Sequence, residues 1–515
     1  MRQRLRVTER SRHLSAEGTF SSSASPPFID PVASAPPISS ARALGDVAVQ
    51  VVGRIGNLLL GLVVVITIAR TLGVGGNGEW TTLLTISMLT GYLVDPGLQT
   101  TALRMAAADP RDQGQWLGAL VSVRVVTGVL AALLCFGLSA AVATGPSMVL
   151  AGALISATAL SSPAQALAVV FQLEVRNDRT IAFVTLNSLL WTAGVLVVAV
   201  SGGGLVAFAA VFVATSVVTA TVQGRYVWRR APVMLEGVRR HGRRLLRVGL
   251  VVGLGSVLTI MYGKIDQILV LHYQGVDGAG LYGAAYSLLD KVQFLPGVLM
   301  TTVFPIVASA WPANPERARA AVRRALGYMA IISLPALAFT LVAARPVMVL
   351  LFGEQFAPAA GALEVLMASF VPICFGYVAG SLAVVVERQR TFVLIALAGL
   401  VFNVVANVLL LPRYGFIAAA WITLATEMLV IGPAVATTLG AMGASPDLRR
   451  VPRALVAATI MGVLVGLARH WGCGIVLLVG IAAIVYPLAV LATGAVTADE
   501  RTQLLLWLSR ATRAR

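Results

Sequence analysis

Charge is scarce in this sequence. Only 12% of its 515 residues are Asp, Glu, Lys or Arg, and histidine occurs four times. Soluble domains carry about a quarter of their residues as charges, so a surface facing water on all sides is excluded. Cysteine is scarcer still. Cys135, Cys374 and Cys473 stand far apart, each within or beside an apolar run. That spacing offers neither a disulfide framework nor a zinc signature, and the three read as apolar filler. No G-x-x-x-x-G-K-[ST] stretch occurs, so ATP hydrolysis at a Walker-type loop is excluded. Acidic residues are the rarer sign, 22 against 39 basic ones.

What is present is apolar. Hydrophobic residues make up 58% of the chain, the mean hydropathy is +0.86, and apolar runs of about 20 residues recur, the length that crosses a bilayer. The pattern predicts an all-α polytopic membrane protein with about fourteen spans: 46–69, 79–105, 116–142, 147–173, 181–200, 204–224, 248–271, 280–310, 325–344, 359–386, 391–411, 415–440, 454–469 and 473–495. With both termini cytoplasmic, the outer connections hold only Arg70, Arg345, Arg413 and Arg469. Nearly all other basic residues fall on the inner side, as the positive-inside rule requires. The net charge of +17 is therefore topology, and no nucleic-acid partner is expected. Residues 1–45 combine arginines with a Ser/Pro/Ala-rich stretch and no apolar h-region. They read as a disordered basic cytoplasmic tail rather than a signal peptide. Residues 499–515 set Leu504, Leu505, Trp507 and Leu508 beside arginines, the pattern of a short interfacial amphipathic helix.

The chain repeats itself. GVGGNGEW (Gly73 to Trp80) and GVDGAGLY (Gly275 to Tyr282) share G-V-x-G-x-G-x-aromatic at an offset of 202 residues. Further on, DRT (Asp178 to Thr180) matches QRT (Gln389 to Thr391), and GLVAFAA (Gly204 to Ala210) matches GFIAAAW (Gly415 to Trp421), both at an offset of 211. The organisation that follows is two six-helix lobes, 46–230 and 248–441, joined by a basic linker at 231–247 and followed by two further helices in 453–495. Six is even, so the lobes share one orientation. They are expected to be related by an axis along the membrane normal, with a cavity between them. The glycine motifs join helix to helix without a preceding strand, so they are tight turns and not dinucleotide loops.

Several segments together resemble the polysaccharide or oligosaccharide flippases of the multidrug/oligosaccharidyl-lipid/polysaccharide exporter superfamily. ARTLGVGGNGEW followed by DPGLQTTALRMAA (Asp95 to Ala107) is similar to the family's Ala-Arg-x-Leu-Gly turn and D-x-G-L segment. The stretch from Lys264 to Ala308 resembles its D…VGxYxxA…P segment, and LFGEQFAPAAGALEVLMAS (Leu351 to Ser369) its F-G-x-x-[YF] motif. NVVANVLLLPRYGFIAAAWITLATE (Asn403 to Glu427) resembles its N-x-x-x-N…P-x-x-G segment, with Ala418 where the family usually has Gly. The resemblance covers about 46–440. It implies a transporter that flips an undecaprenyl-diphosphate-linked glycan from the inner to the outer leaflet of a bacterial plasma membrane. Fourteen helices also fit the lipid II flippase branch. Other polysaccharide-assembly proteins are compatible partners for the Arg-rich segment 225–247.

Ionisable residues at bilayer depth cost roughly 2.5–3.5 kcal/mol each on insertion scales, so each needs a partner or a wet cavity. Gln50, Arg54 and Asn57 make one polar stripe by i, i+4, i+7 spacing, and Arg124 lies at similar depth in the third span. Guanidinium binds phosphate in bidentate fashion, so Arg54 and Arg124, with Gln50, Asn57 and Lys264, are candidates for a diphosphate headgroup. The alternative for Arg124 is an ion pair with Asp95. In the second lobe, Asp266, Asp290, Lys291 and Glu427, with Asn403 and Asn407 on one helix face, are candidates for a proton or sodium coupling site or for structural pairing. Lys264 and Asp266 point about 200° apart on a helix and are not a local pair; Lys264 is expected to meet either Asp290 on a neighbouring helix or, if the polar arc is wide, the cavity. No cofactor or metal is expected. A drug–cation antiporter would need a predominantly acidic cavity, against which Arg54, Arg124, Lys264 and Lys291 argue. A membrane glycosyltransferase or polymerase would need a catalytic outer loop. The longest here, Arg345 to Pro358, holds the single acid Glu354.

Overall fold

The computed structural model describes residues 40–95, 97–174, 177–231, 233–445, 449–497 and 500, without the side chains of 40–52, 93, 94, 177, 251 and 252. The expectations for most of the basic tail at 1–45 and for the amphipathic tail at 499–515 fall outside these residues, as does the side chain of Gln50. Every regular element among the described residues is helical.

Twelve helical stretches are long and apolar enough to cross a membrane. Two of them, Gly53–Tyr92 and Gly253–Ala310, run 40 and 58 residues, roughly 60 and 87 Å at 1.5 Å per residue, against a hydrocarbon core of about 30 Å. Each therefore holds two crossings. Helix α1 (Ser40–Val94) leaves helical geometry at Gly73, with φ 71° and ψ −171°. Gly275 does the same, at φ 68° and ψ −170°, in the segment Gly237–Val292. This region of backbone space is essentially open only to glycine. Across the second turn, Gln267 Nε2 donates to Ala279 O at 3.0 Å, so the chain folds back on itself. The expected fourteen crossings result.

The two glycine motifs meet. A Cβ on Gly78 would lie 2.0 Å from Val276 O, and a Cβ on Gly280 would lie 1.9 Å from Val74 O. The contact is reciprocal under the 202-residue offset, so a pseudo-two-fold axis passes between the turns. Asn77 Nδ2 donates to Gly280 O at 3.0 Å across the same junction. Nearby, Arg70 Nε donates to Leu351 O at 2.8 Å, occupying an end carbonyl that its helix leaves free.

Two departures from the expected spans matter for function. The second span breaks at Asp95, where Gly97 takes φ 77°, and resumes as α2 (Leu98–Ala108). The fourth expected span, 147–173, is not one helix. It runs as α3's neighbour α4 (Pro146–Ala157), a 3₁₀ turn at Thr158–Ser161, and the short helices α5 (Ser162–Ala166) and α6 (Val169–Leu173), with α3 spanning Gln113–Ala141. Its partners α7 (Asn177–Val200) and α8 (Leu205–Trp228) complete the first lobe. Lipid-facing Val126, Leu133 and Val197 are exposed on this lobe, as a bilayer surface requires.

The linker expected at 231–247 is mostly helix. Residues from Gly237 onward belong to α9 (Gly237–Val292), whose first turns pack on α2 and α3. There the His241 ring stacks on Trp116 at 4.0 Å, and Gly237 admits the backbone of Gln115. Burial and the neighbouring Arg240 and Arg244 hold the imidazole below its usual range despite Asp112. The second lobe continues through α10 (Phe294–Ala310), α11 (Pro315–Phe352), α12 (Ala360–Val385), α13 (Gln389–Tyr414) and α14 (Phe416–Met442). Because α11 reaches Phe352, the long outer connection expected from Arg345 shrinks to the 3₁₀ turn Glu354–Ala359. Helices α15 (Arg450–His470) and α16 (Ile475–Thr493) pack against α11.

Candidate functional site

A cavity of about 230 Å³ lies between the second arm of α1, through Thr81, Thr85 and Met88, and both arms of α9. A second cavity of about 390 Å³ adjoins it, sharing Met88, Gly263, Lys264, Tyr286 and Asp290 and reaching Tyr377 on α12 and Glu427 on α14. Lys264 Nζ is 2.6 Å from Asp290 Oδ2 and 4.1 Å from the centroid of the Tyr286 ring. The ring face adds a cation–π attraction to the ion pair. The two residues are 26 apart; only the reversal at Gly275 brings them together. Lys291, next in sequence, has no ion-pair partner among the described residues. Its ammonium lies 3.0 Å from the Cβ that Gly61 lacks, so a cation from the second repeat rests on a glycine of the first. Glu427 is 6% exposed, lines the larger cavity and makes no hydrogen bond among the described residues.

Asp266 also lines the smaller cavity but makes no ion pair with Lys264. It is fully buried, as are Asn403 and Asn407. Thr423 Oγ1 donates to its Oδ2 at 2.6 Å, Tyr282 OH to the same oxygen at 3.0 Å, and Asn407 Nδ2 reaches Oδ1 at 3.5 Å. Asn407 Nδ2 also donates to Asn403 Oδ1 at 3.1 Å, while Asn407 Oδ1 is buried without a partner. A buried carboxylate without a cation is costly, and Lys264 is engaged elsewhere. The cluster thus gathers one carboxylate, two amides and two hydroxyls from three helices.

The repeat shows what is special here. At the 202 and 211 offsets, Tyr282 and Thr423 correspond to Trp80 and Phe212. Those two also meet in the first lobe, with rings 6.1 Å apart and perpendicular, beside Trp191. Asp266 corresponds to Val64, which is buried in the apolar core. The same scaffold position is aromatic and apolar in one lobe and polar in the other. Tyr282 and Thr423 were not among the expected site residues. Their signal was the aromatic that ends the second glycine motif and the polar positions beside Glu427.

The first-lobe candidates are dispersed. Arg124 binds Asp95, the alternative reading of that residue, and lies beside the break before α2. Asn57 Nδ2 donates to Thr185 Oγ1 at 3.1 Å, tying α1 to α7. Arg54 is exposed and has no partner among the described residues. The two arginines thus do not share one binding wall. Among the described residues, no group of three His, Cys, Asp or Glu side chains could hold a metal ion.

The chain's fold is similar to the lipid II flippase MurJ in an inward closed conformation, with a TM-score of 0.65 at 12% identity, covering 85% of this chain and 97% of that one. It is also similar to an inward-facing multidrug resistance MATE transporter of the MOP superfamily, at TM-score 0.62 and 15% identity, over 75% of this chain and 94% of that one. An uncharacterized membrane protein of Methanocaldococcus jannaschii is 22% identical over 184 residues. That match spans 35% of this chain and about a third of the relative, 36%. A family model described as polysaccharide biosynthesis protein matches residues 67–361, more than half of the chain and both glycine motifs. The chain therefore belongs to this polysaccharide biosynthesis family, and its fold is similar to that of the lipid II flippase and the MATE transporter.

Proposed function

We propose that the protein flips a lipid-linked glycan of the undecaprenyl-diphosphate type from the cytoplasmic to the outer leaflet of a bacterial plasma membrane by alternating access. The glycan would serve cell-surface polysaccharide or cell-wall synthesis. The observation that carries this reading is the pair of lysines on the wall of the inter-lobe cavity. Lys291 lies unpaired beside Gly61 of the opposite repeat, and Lys264 is held by Asp290 within reach of exchange for an anionic headgroup. A diphosphate is the natural anion for two ammonium groups in a water-poor site. In this reading both termini are inside, so the glycine junction would lie at the outer face and close it in an inward-directed state of the cycle. Arg54 with Gln50 and Asn57 would meet the headgroup at the cytoplasmic end. Arg124, neutralised by Asp95, would act from further back.

In this reading the Asp266 cluster, with Asn403, Asn407 and Thr423, takes a proton or a sodium ion and couples its gradient to the lobe movement. Glu427 is a second protonatable group on the cavity wall. Fold likeness to a lipid II flippase supports the peptidoglycan precursor as the second substrate reading. A drug–cation antiporter is less well supported, since the cavity carries Lys264 and Lys291 beside its acids.

The test is reconstitution in vesicles with labelled lipid-linked glycans, asking which headgroup gains outer-leaflet exposure. Flipping of a diphosphate-linked glycan supports the reading, and transport of organic cations alone removes it. Full-rate flipping by Arg54→Ala would remove that residue from headgroup binding.

A further inference from the structure

The first lobe contains a cavity of its own, about 480 Å³, within the volume range of small-molecule sites. Its lining includes Ser87, Arg124, Ser162, Asn187, Ser188 and Gln223, and no carboxylate among the described residues. Such a density of hydroxyls and amides at membrane depth is costly unless the groups meet partners.

The broken fourth span forms one wall. Its 3₁₀ turn at Thr158–Ser161 and the short α5 free backbone carbonyls, and Gln223 Nε2 from α8 donates to Ala164 O at 3.3 Å and Gln165 O at 3.2 Å. Irregular backbone at this depth is tolerated where it lines a wet cavity. The corresponding span of the second lobe, α12, is one continuous helix, with Leu363, Leu366, Phe370 and Ile373 buried along it. The break in this span is therefore particular to the first lobe.

Several donors there are left over. Arg124 Nε is buried without a partner although its terminal nitrogen holds Asp95. Thr219 donates to Asn187 Oδ1 at 3.1 Å, which leaves the Asn187 Nδ2 hydrogens without a protein acceptor among the described residues. Hydroxyls keep acceptor lone pairs after donating to their own helix. The cavity thus presents both donors and acceptors with little charge, the complement of a sugar ring and unlike the Lys264–Asp290–Lys291 surface.

The two cavities share a wall. On the second arm of α1, Thr81, Thr85 and Met88 face the inter-lobe cavity, while Ser87, Thr90 and Gly91 line the first-lobe cavity. We propose that the first-lobe cavity is a saccharide subsite. It takes the neutral sugar units of the lipid-linked substrate while the inter-lobe ammonium groups take the diphosphate. This rests on the flippase reading above.

The test is binding of two polyprenyl-end-labelled lipids to the purified full-length protein: undecaprenyl diphosphate, and the same lipid carrying a neutral trisaccharide of glucose or N-acetylglucosamine units. Ser216 also lines the cavity, so Ser188→Leu/Ser216→Leu fills it, and Asn187→Leu removes its amide. Wild type is expected to bind the glycan lipid at least about tenfold more tightly, the equivalent of one or two hydrogen bonds. Either variant should erase that difference and keep the affinity for the sugar-free lipid, which also reports intact folding. Lys291→Gln should weaken both lipids alike. Equal wild-type affinities, a preference that survives both variants, or equal loss of both lipids overturns the subsite. If wild type binds neither lipid, the flippase reading itself fails and the subsite with it.

Discussion

Gly78 and Gly280 fill each other's missing side-chain space: each lies where a Cβ would overlap a backbone carbonyl of the other's turn, at 2.0 and 1.9 Å. The contact joins equivalent points of two repeats beside the inter-lobe cavity, which Asn77 of the first turn lines. Gly280→Ala should therefore force the turns apart, at a cost of about 1–3 kcal/mol for overpacking, and lower the thermal midpoint. Gly440→Ala in α14, where nothing lies within 4 Å, should be neutral or stabilise by about 0.4–1 kcal/mol. Thermal unfolding in detergent measures both. Equal behaviour of the two variants would show that the glycine junction is not a tight contact.

Lys264 and Asp290 bridge the two arms of α9. Reversing either charge alone should place like charges 2.6 Å apart and slow transport. The double reversal Lys264→Glu/Asp290→Lys should recover stability, with a coupling energy of about 0.5–3 kcal/mol in a double-mutant cycle. Additive effects would deny the pair a structural role. Recovery of stability without recovery of flipping would assign Lys264 to the substrate.

For the Asp266 cluster, the expected readout is gradient dependence. Wild-type flipping should respond to a proton or sodium gradient across the vesicle. Asp266→Asn should abolish that response, and Thr423→Val, which removes the 2.6 Å donor, should weaken it. An unchanged response in Asp266→Asn removes the cluster from coupling.

At the other end of the chain, Glu500 lies beyond the last span. Burial raises its carboxyl, but the Thr497 backbone N–H, Tyr328, Arg450 and the Thr497 hydroxyl outweigh this and hold it below the usual range. A depressed folded value means that the contact contributes stability above the unfolded value, near 4.3, and loses it as pH falls through the folded value. The contribution should thus be full near neutrality and decline below about pH 4. Thermal midpoints measured from pH 7 downward should converge for wild type and Glu500→Gln at the acid end, with wild type higher at neutral pH. A constant gap at every pH would contradict this linkage.

Much of this was legible in the residues. The helical class and the number of spans followed from apolar length, the paired glycine turns from the 202-residue offset, and the separation of Lys264 from Asp266 from helical angle. What escaped was of two kinds. The breaks at Gly97 and at Thr158–Ser161 leave hydropathy unchanged, because small and hydroxylated residues are tolerated on either side. The Asp266 cluster also draws in Tyr282 and Thr423, 16 and 157 residues away in sequence, and no local periodicity can pair them with it. The 237–247 segment looked like a linker because its arginines mask a helical pattern. In the fold they surround the buried face that carries His241 and Leu245.

The most direct test is a time course of leaflet exposure in proteoliposomes carrying a fluorescent undecaprenyl-diphosphate trisaccharide. Three preparations are compared: wild type, Lys264→Gln/Lys291→Gln and protein-free vesicles. The account predicts rapid exposure with wild type and a rate at least about tenfold lower with the double variant, corresponding to about 1.4 kcal/mol or more of lost headgroup stabilisation. A wild-type rate no faster than protein-free vesicles, or a double variant as fast as wild type, would contradict it.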